Sequence, residues 1–152
     1  MLMLRYRLHI CLWLIVLNSE LTALPALRFH RIAGGFEDIN YTCICQDRFG
    51  FIWLGSKNGL IRYDGYEMKK FRTHTLSEGN ISANWIIDII EDSLGNLWIG
   101  TFDGGLNYFD RQLEKFTAYV HQDGDSLSLS SNTVLKLLKD FDGSVWVATA
   151  NG

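Results

Sequence analysis

The side chains that could do chemistry in this sequence are histidines, two thiols, a run of serines and several aspartates. Metal-binding and catalytic histidines usually recur at a fixed short spacing, often with a glutamate between them. His30, His74 and His121 have no such partner. The serines within 126–131 lack the Gly-x-Ser-x-Gly turn of the α/β-hydrolases. The sequence therefore predicts no catalytic residues.

Two aspartate-rich stretches and the two thiols also lack the pattern of a metal site. Residues 123–125 and 140–143 resemble pieces of calcium loops but lack the terminal glutamate and the full spacing, so we interpret them as turns. Cys43 and Cys45 are two residues apart in an apolar stretch and would share one face of a strand, badly placed for a relaxed disulfide. We expect them to be small buried side chains. No metal and no cofactor are predicted.

Composition limits the class of protein and of partner. The chain has 152 residues, of which 47% are hydrophobic, 13% aromatic and 20% charged, which excludes collagen-like and disordered chains. The formal net charge is −3, and the lysines and arginines are scattered rather than clustered. We therefore expect no nucleic-acid partner and no binding to an anionic membrane surface.

The beginning of the chain reads as a secretory signal peptide at 1–23. A basic start with Arg5 and Arg7 precedes the apolar run 10–17, and Ala23 offers a small residue for cleavage. The run is too short to cross a bilayer, which takes about 20 residues as a helix. The sequence predicts an exported protein, with an uncleaved signal anchor or a wrongly assigned start as the alternatives.

A segment Asp-x-x-Gly, followed three residues later by Trp, occurs three times. Successive copies are 45 and then 48 residues apart, and an apolar run precedes each copy. Ser-x-Asn also recurs, at 82–84 and 130–132. A period of roughly 20 to 50 residues indicates a repeat architecture. The repeated positions are Asp47, Gly50, Trp53, Asp92, Gly95, Trp98, Asp140, Gly143 and Trp146.

Each repeat reads as four short antiparallel strands. In the middle repeat they are predicted at 85–91, 96–101, 106–109 and 114–119. The Asp side chain can accept hydrogen bonds from its own turn, and the Gly supplies the positive φ that a tight turn needs. Four strands per period with a fixed aromatic residue are typical of a propeller blade. The predicted fold class is all-β: β-propeller blades of four antiparallel strands, incomplete at about two and a half blades.

The predicted domains follow from this count. They are a signal peptide at 1–23, a first blade at 24–72, a second blade at 73–119 and the truncated start of a third blade at 120–152. A propeller closes with roughly four to eight blades. We therefore expect a fragment whose partners are the remaining blades of the same propeller. Alone, it should be partly folded or aggregation-prone.

The strand order separates the structural positions from the candidate binding positions. The repeated tryptophans are expected to pack between blades, with a stacking platform for sugar rings as the alternative. The connection between the second and third strands and the connection to the next blade emerge on one edge, opposite the Asp-x-x-Gly turns. Long loops on a rigid scaffold often carry binding residues. The ligand-binding candidates on that edge are Lys57, Asn58, Phe102, Asp103 and Asn151.

The middle repeat resembles a known family. Residues 91–106 match the two-component regulator propeller repeat nearly throughout, and residues 50–66 are similar to the opening blade of its receptors. Two departures are small, with Ser56 in place of the usual Thr and Ala148 in place of Gly.

The resemblance implies the exported sensor region of a bacterial receptor, on the periplasmic side of the inner membrane. Such a region binds an extracytoplasmic ligand, for example a carbohydrate, while a membrane helix and a histidine kinase output belong to parts outside these residues. No enzyme activity is implied for the chain itself. The alternatives are a diguanylate cyclase output, a fragment of an exported propeller enzyme such as a lyase or glycan-processing protein, and a non-functional gene product.

Overall fold

The computed structural model describes residues 28–29, 40–73 and 79–152. The predicted signal peptide at 1–23, the beginning of the predicted first blade, His30 and His74 lie outside the described residues.

The described residues form three antiparallel sheets and contain no helix. The first sheet has the order β1-β2-β3-β4, the second β5-β6-β7-β8, and the third consists of β9 and β10. The three sheets do not close into a ring, so the predicted all-β fold of incomplete propeller blades is confirmed. The strands are β1 (Tyr41–Gln46), β2 (Ile52–Ser56), β3 (Gly59–Tyr63), β4 (Met68–Phe71), β5 (Ile86–Glu91), β6 (Leu97–Thr101), β7 (Leu106–Asp110), β8 (Lys115–Tyr119), β9 (Val134–Lys139) and β10 (Val145–Thr149).

Three predicted strands of the middle repeat begin one residue too early. Trp85 precedes β5, where its carbonyl accepts a hydrogen bond from the Phe102 N–H at 3.0 Å. Asn96 precedes β6 because its N–H is bound to the Asp92 carboxylate at 2.9 Å. Glu114 precedes β8 and has a positive φ of 50°, which belongs to a turn rather than a strand.

The first strands of the three sheets lie side by side, β1 against β5 and β5 against β9. Each of them has a register shift at the same repeat position. It lies between Tyr41 and Cys43 in β1, between Ile86 and Asp88 in β5, and opposite Ala148 and Thr149 of β10 in the third sheet. A bulge increases the local twist of a strand. The shared bulge therefore gives every blade the same twist where it meets its neighbour.

Neighbouring blades approach so closely that a glycine is needed at the contact. A Cβ atom added to Gly55 would lie 2.8 Å from Cγ2 of Ile86, and one added to Gly100 would lie 2.6 Å from Cγ1 of Val134. Both glycines follow the repeated Trp by two residues. In the third repeat the same position is Ala148, which is exposed. Gly100 is therefore required by inter-blade contact, while at Gly55 an added Cβ would also overlap Sγ of Cys43 in its own blade.

The main hydrophobic core lies between the first two blades. Trp53 is fully buried and contacts Phe71 and Phe109, with ring centroids 5.7 and 5.4 Å apart. A buried Trp covers about 150–250 Å², which at about 25 cal/mol per Å² is worth about 4–6 kcal/mol. The buried residues of this core are Trp53, Leu60, Ile81, Ile86, Ile89, Leu97, Ile99, Phe109 and Phe116.

The other two repeated tryptophans are less covered. Trp98 packs partly buried against a smaller core of Leu106, Val134 and Leu137 between the second and third blades. Trp146 of the two-stranded third sheet is 63% exposed. The repeated Trp is thus fully buried in the first blade, partly buried in the second and exposed in the third sheet, in step with how much of the next sheet packs on it.

The aspartate of the repeat ties its own turn to the neighbouring blade. Asp47 is buried, and its Oδ1 accepts hydrogen bonds from the N–H groups of Phe49 and Phe51, both at 3.0 Å. Its Oδ2 accepts the Trp53 indole N–H at 2.7 Å and lies 2.9 Å from an Arg111 guanidinium nitrogen of the second blade. One carboxylate therefore orients the turn, the core tryptophan and the adjacent sheet.

Asp140 provides a matched comparison within the chain. It accepts the Trp146 indole N–H at 3.0 Å and lies in the same kind of turn, but it forms no ion pair among the described residues. Hydrogen bonds from Trp146 and from the Phe141 N–H lower the pKa of its carboxyl.

We predict that Asp47→Ala lowers the free energy of unfolding by about 3–5 kcal/mol, because it leaves the Arg111 charge and the Trp53 N–H without their buried partner. Asp140→Ala should lower the free energy of unfolding clearly less, since Asp140 lies in an exposed turn and has no ion pair among the described residues. Urea unfolding monitored by tryptophan fluorescence measures both. Equal losses in the two variants would contradict the inter-blade role of Asp47.

Candidate functional site

The candidate site is the edge of the sheets opposite the Asp-x-x-Gly turns. There the loop between the second and third strands of one blade meets the segment that enters the next blade. The Gly59 N–H donates to the carbonyl of Asn84 at 2.8 Å, and the Gly105 N–H donates to the carbonyl of Asn132 at 2.8 Å. We refer to these loops and segments together as the loop edge. Backbone hydrogen bonds between blades hold it in place.

The repeated Ser-x-Asn motif, which carried no assigned role in the sequence, holds this edge together. The Asn84 side-chain oxygen accepts the N–H of Thr73 at 2.9 Å, just after β4. The Asn132 side-chain oxygen accepts the N–H of His121 at 2.7 Å, just after β8. Each asparagine therefore fixes the chain where it leaves one blade for the next.

A hydroxyl closes each loop from the end of the second strand. Ser56 donates to the carbonyl of Gly59 at 2.8 Å, and Thr101 donates to the carbonyl of Gly105 at 2.7 Å. Thr149 donates to the carbonyl of Gly152 at 2.8 Å in the third sheet. Ser56, which replaces the usual Thr in the first repeat, keeps the hydroxyl that forms this hydrogen bond.

Two of the candidate ligand-binding residues share a cavity of about 380 Å³ on the loop edge. Lys57 and Asn58 line it together with Arg72, Thr73 and Asn84. The Arg72 Nε donates to the carbonyl of Asn58 at 2.7 Å, which places the guanidinium beside the loop. We call this space the Lys57–Arg72 cavity. Arg72 and Thr73 were not singled out in the sequence, and Asn84 was noted there only as part of the repeated Ser-x-Asn motif.

An aromatic stack contacts Lys57, one of the residues that line this cavity. The ammonium group of Lys57 lies 4.5 Å from the centroid of the Trp85 ring, which attracts a cation electrostatically. The other partner of Trp85 is Phe102, stacked at 4.2 Å between centroids with 19° between the planes. Lys57 and Phe102 are thus joined through Trp85, a residue that the repeat pattern did not mark.

The remaining two candidates lie in the corresponding loops of the other blades, outside this cavity. Asp103 is exposed beside Gly104, where an added Cβ would meet Ala83 at 2.7 Å. Asn151 is exposed, and its amide nitrogen lies 3.5 Å from the carbonyl of Ser130. The structure therefore places all five candidates on the loop edge but groups only Lys57, Asn58 and Phe102.

Two larger apolar cavities, of about 470 and 520 Å³, surround Trp98 and Tyr119 on the face of the second blade. In the first blade, the corresponding face around Trp53 is covered by Phe109 and Phe116 of strands β7 and β8. The third sheet consists of β9 and β10. These cavities therefore lie on the face of the second blade that corresponds to the packed face of the first blade.

The possible metal ligands and the two thiols are the titratable groups of chemical interest among the described residues. Among the described residues there is no group of three or more His, Cys, Asp and Glu side chains that could hold a metal ion. Cys43 and Cys45 are free thiols, partly buried against the main core. Burial raises the pKa of the Cys43 thiol to about 11 and also raises that of Cys45, so both stay protonated at neutral pH.

No helix in the part of the chain that the structure describes is both long and apolar enough to cross a membrane.

Four-stranded sheets that bury a repeated tryptophan on the next sheet define the class of β-propeller proteins. The family model of the two-component regulator propeller matches the chain at residues 35–58, 80–103 and 128–151. Each matched stretch includes one Asp-x-x-Gly-x-x-Trp segment. The chain therefore contains three two-component regulator propeller repeats.

Solved structures of the extracellular domains of two bacterial proteins are similar to this chain. The extracellular domain described as that of the hybrid two component system BT3049 from B. thetaiotaomicron is 26% identical over 72% of this chain, with a TM-score of 0.66. That of BT4673 from the same organism, described as a one component system, is 27% identical over 73%, with a TM-score of 0.60. The match covers only 16% and 15% of those chains. Among curated proteins no match was found.

The buried thiol of Cys43 predicts a dependence of stability on alkaline pH. Its pKa is raised from 9.0 to about 11 in the folded state, so the folded state holds the proton more tightly than the unfolded chain. Stability from this group is therefore complete below about pH 9 and is lost as the pH rises through about 11. Urea unfolding at pH 8 to 11 should show a smaller decline in Cys43→Ala than in the parent. Identical declines would contradict the burial of this thiol.

Proposed function

We propose that this chain is part of the extracytoplasmic ligand-binding propeller of a bacterial signal-transduction receptor of the two-component type. The observation that carries the proposal is the similarity of most of the chain to two extracellular domains, one of a hybrid two component system at 26% identity and one described as that of a one component system at 27%. The family repeats run through both complete sheets and the third, partial one. The protein is then exported and faces the periplasmic side of the inner membrane, with its kinase output outside these residues.

The geometry of the loop edge supports ligand binding rather than catalysis. It groups two cations, amide side chains and an aromatic stack, which suit the hydrogen bonding and ring stacking of a small polar solute such as a carbohydrate. Among the described residues that line the cavity there is no nucleophile with an adjacent base. An exported propeller enzyme would need its catalytic loops on blades outside this chain.

The loop edge also suggests how binding would become a signal. Its contacts come from adjacent blades, for example the hydrogen bond between Gly59 of the first blade and Asn84, which leads into the second. A ligand that touches both blades has a different affinity for each arrangement of the blades. It would shift the equilibrium by that difference in affinity. Further blades of the same propeller are the partners that cover the faces around Trp98 and Trp146.

The coding DNA beyond the codon for Gly152 tests this function. We expect further Asp-x-x-Gly-x-x-Trp units, a transmembrane helix and a histidine kinase, whose autophosphorylation in the full-length receptor would then respond to ligand. A diguanylate cyclase in place of the kinase would keep the sensor and change its output. A reading frame that instead encodes clustered histidines and carboxylates and no membrane helix would overturn the receptor hypothesis and favour an exported propeller enzyme.

A further inference from the structure

The Lys57–Arg72 cavity is basic in a protein that is acidic overall. The chain carries 14 Lys and Arg against 17 Asp and Glu, for a formal net charge of −3. Among the described residues that line the cavity, two are cationic, three are neutral and polar, and none is a carboxylate. A local excess of positive charge in a concave site attracts an anion.

Neither cation is neutralised by the rest of the described protein. Several other basic side chains form ion pairs, among them Arg48 with Glu91 and Arg111 with Asp47. Arg72 forms no ion pair within the described ranges, and its only bond there, from Nε to the carbonyl of Asn58, leaves both terminal nitrogens free to donate. A guanidinium fork of this kind matches the oxygens of a carboxylate, sulfate or phosphate.

The cavity is also held in shape before any ligand binds. The Trp85 ring holds the Lys57 ammonium at 4.5 Å, a contact that leaves its positive charge in place. The Asn84 oxygen is occupied by the N–H of Thr73 at 2.9 Å, so its amide nitrogen remains as a donor. A site in which cations and donors are already oriented loses less conformational entropy on binding.

We propose that the Lys57–Arg72 cavity binds the oxyanion of a small extracytoplasmic solute, with Arg72 and Lys57 as the charged contacts and the amide of Asn84 as a further donor. This inference rests on the proposed sensing function and adds the chemical class of its ligand. The volume of about 380 Å³ lies within the range of small-molecule sites, about 300–1,000 Å³. The solute is therefore of the size of a single acidic sugar or a similar anion.

The test measures binding to the full chain by titration calorimetry with three anionic probes, glucuronate, inorganic sulfate and inorganic phosphate, and with neutral glucose. At least one anion should bind, more tightly than glucose and more weakly at higher salt. Binding of glucuronate alone would identify a carboxylate on a sugar as the source of the oxyanion. Binding of sulfate or phosphate alone would identify an inorganic anion or its ester.

Matched variants locate the site. Arg72→Gln should lower the affinity for the anion about tenfold or more, because a charge-assisted hydrogen bond is lost. Lys70→Gln removes the same charge from an exposed position on β4 and should change the affinity less than about twofold. Arg72→Lys should keep part of the affinity. Binding should also change the Trp85 fluorescence of the parent, since Lys57 lies over that ring.

Equal effects of Arg72→Gln and Lys70→Gln would overturn the proposal, since the anion would then respond only to overall charge. If glucose bound as tightly as glucuronate, the proposed oxyanion site would also be overturned, and the chain would then be a sensor of neutral ligands. Failure of every probe to bind would also overturn it. None of these results affects the sensing function, which the coding DNA tests separately. Unchanged urea midpoints in the variants exclude misfolding as the cause.

Discussion

The structure depends on how closely one blade can approach the next. At Gly55 and Gly100 the neighbouring strand fills the space that a Cβ would occupy, so two sheets can meet without a gap. This approach brings the aromatic rings of one blade onto Trp53 of the other and excludes water from the main core. Apolar area buried in this way is the dominant favourable contribution to folding. The contact between blades therefore covers the hydrophobic faces that these sheets need to bury for stability.

The contact between blades also fixes the two edges of the sheets, the edge of the Asp-x-x-Gly turns and the loop edge. On the turn edge, Asp47 joins its own turn and Trp53 to Arg111 of the next blade. On the loop edge, Asn84 joins the end of β4 and Gly59 to the segment that enters β5. The loop edge is thus rigid enough to orient polar side chains. Its loops are free of the packing constraints that determine the repeated residues.

The fold was predictable because its determinants lie within one repeat. The turn from Asp47 to Gly50 and the indole bond of Trp53 involve residues at most six apart, so their spacing is visible in the sequence. The cavity was only half predictable. Lys57 stands in a loop that the strand order places correctly, but Arg72 reaches it through a bond that spans 14 residues. Such contacts depend on the register between strands and blades, which the repeat pattern does not specify.

A double-mutant cycle on Gly100 and Val134 tests most directly whether blade-to-blade approach determines this structure. Gly100→Ala should lower the free energy of unfolding by about 1–3 kcal/mol, because the new methyl group meets Val134 of the next blade. In a Val134→Ala background, where that side chain is shortened, the loss should shrink by about 1 kcal/mol or more. Additive losses would show that the two blades do not meet at this glycine, and would contradict the inter-blade packing on which the loop edge depends.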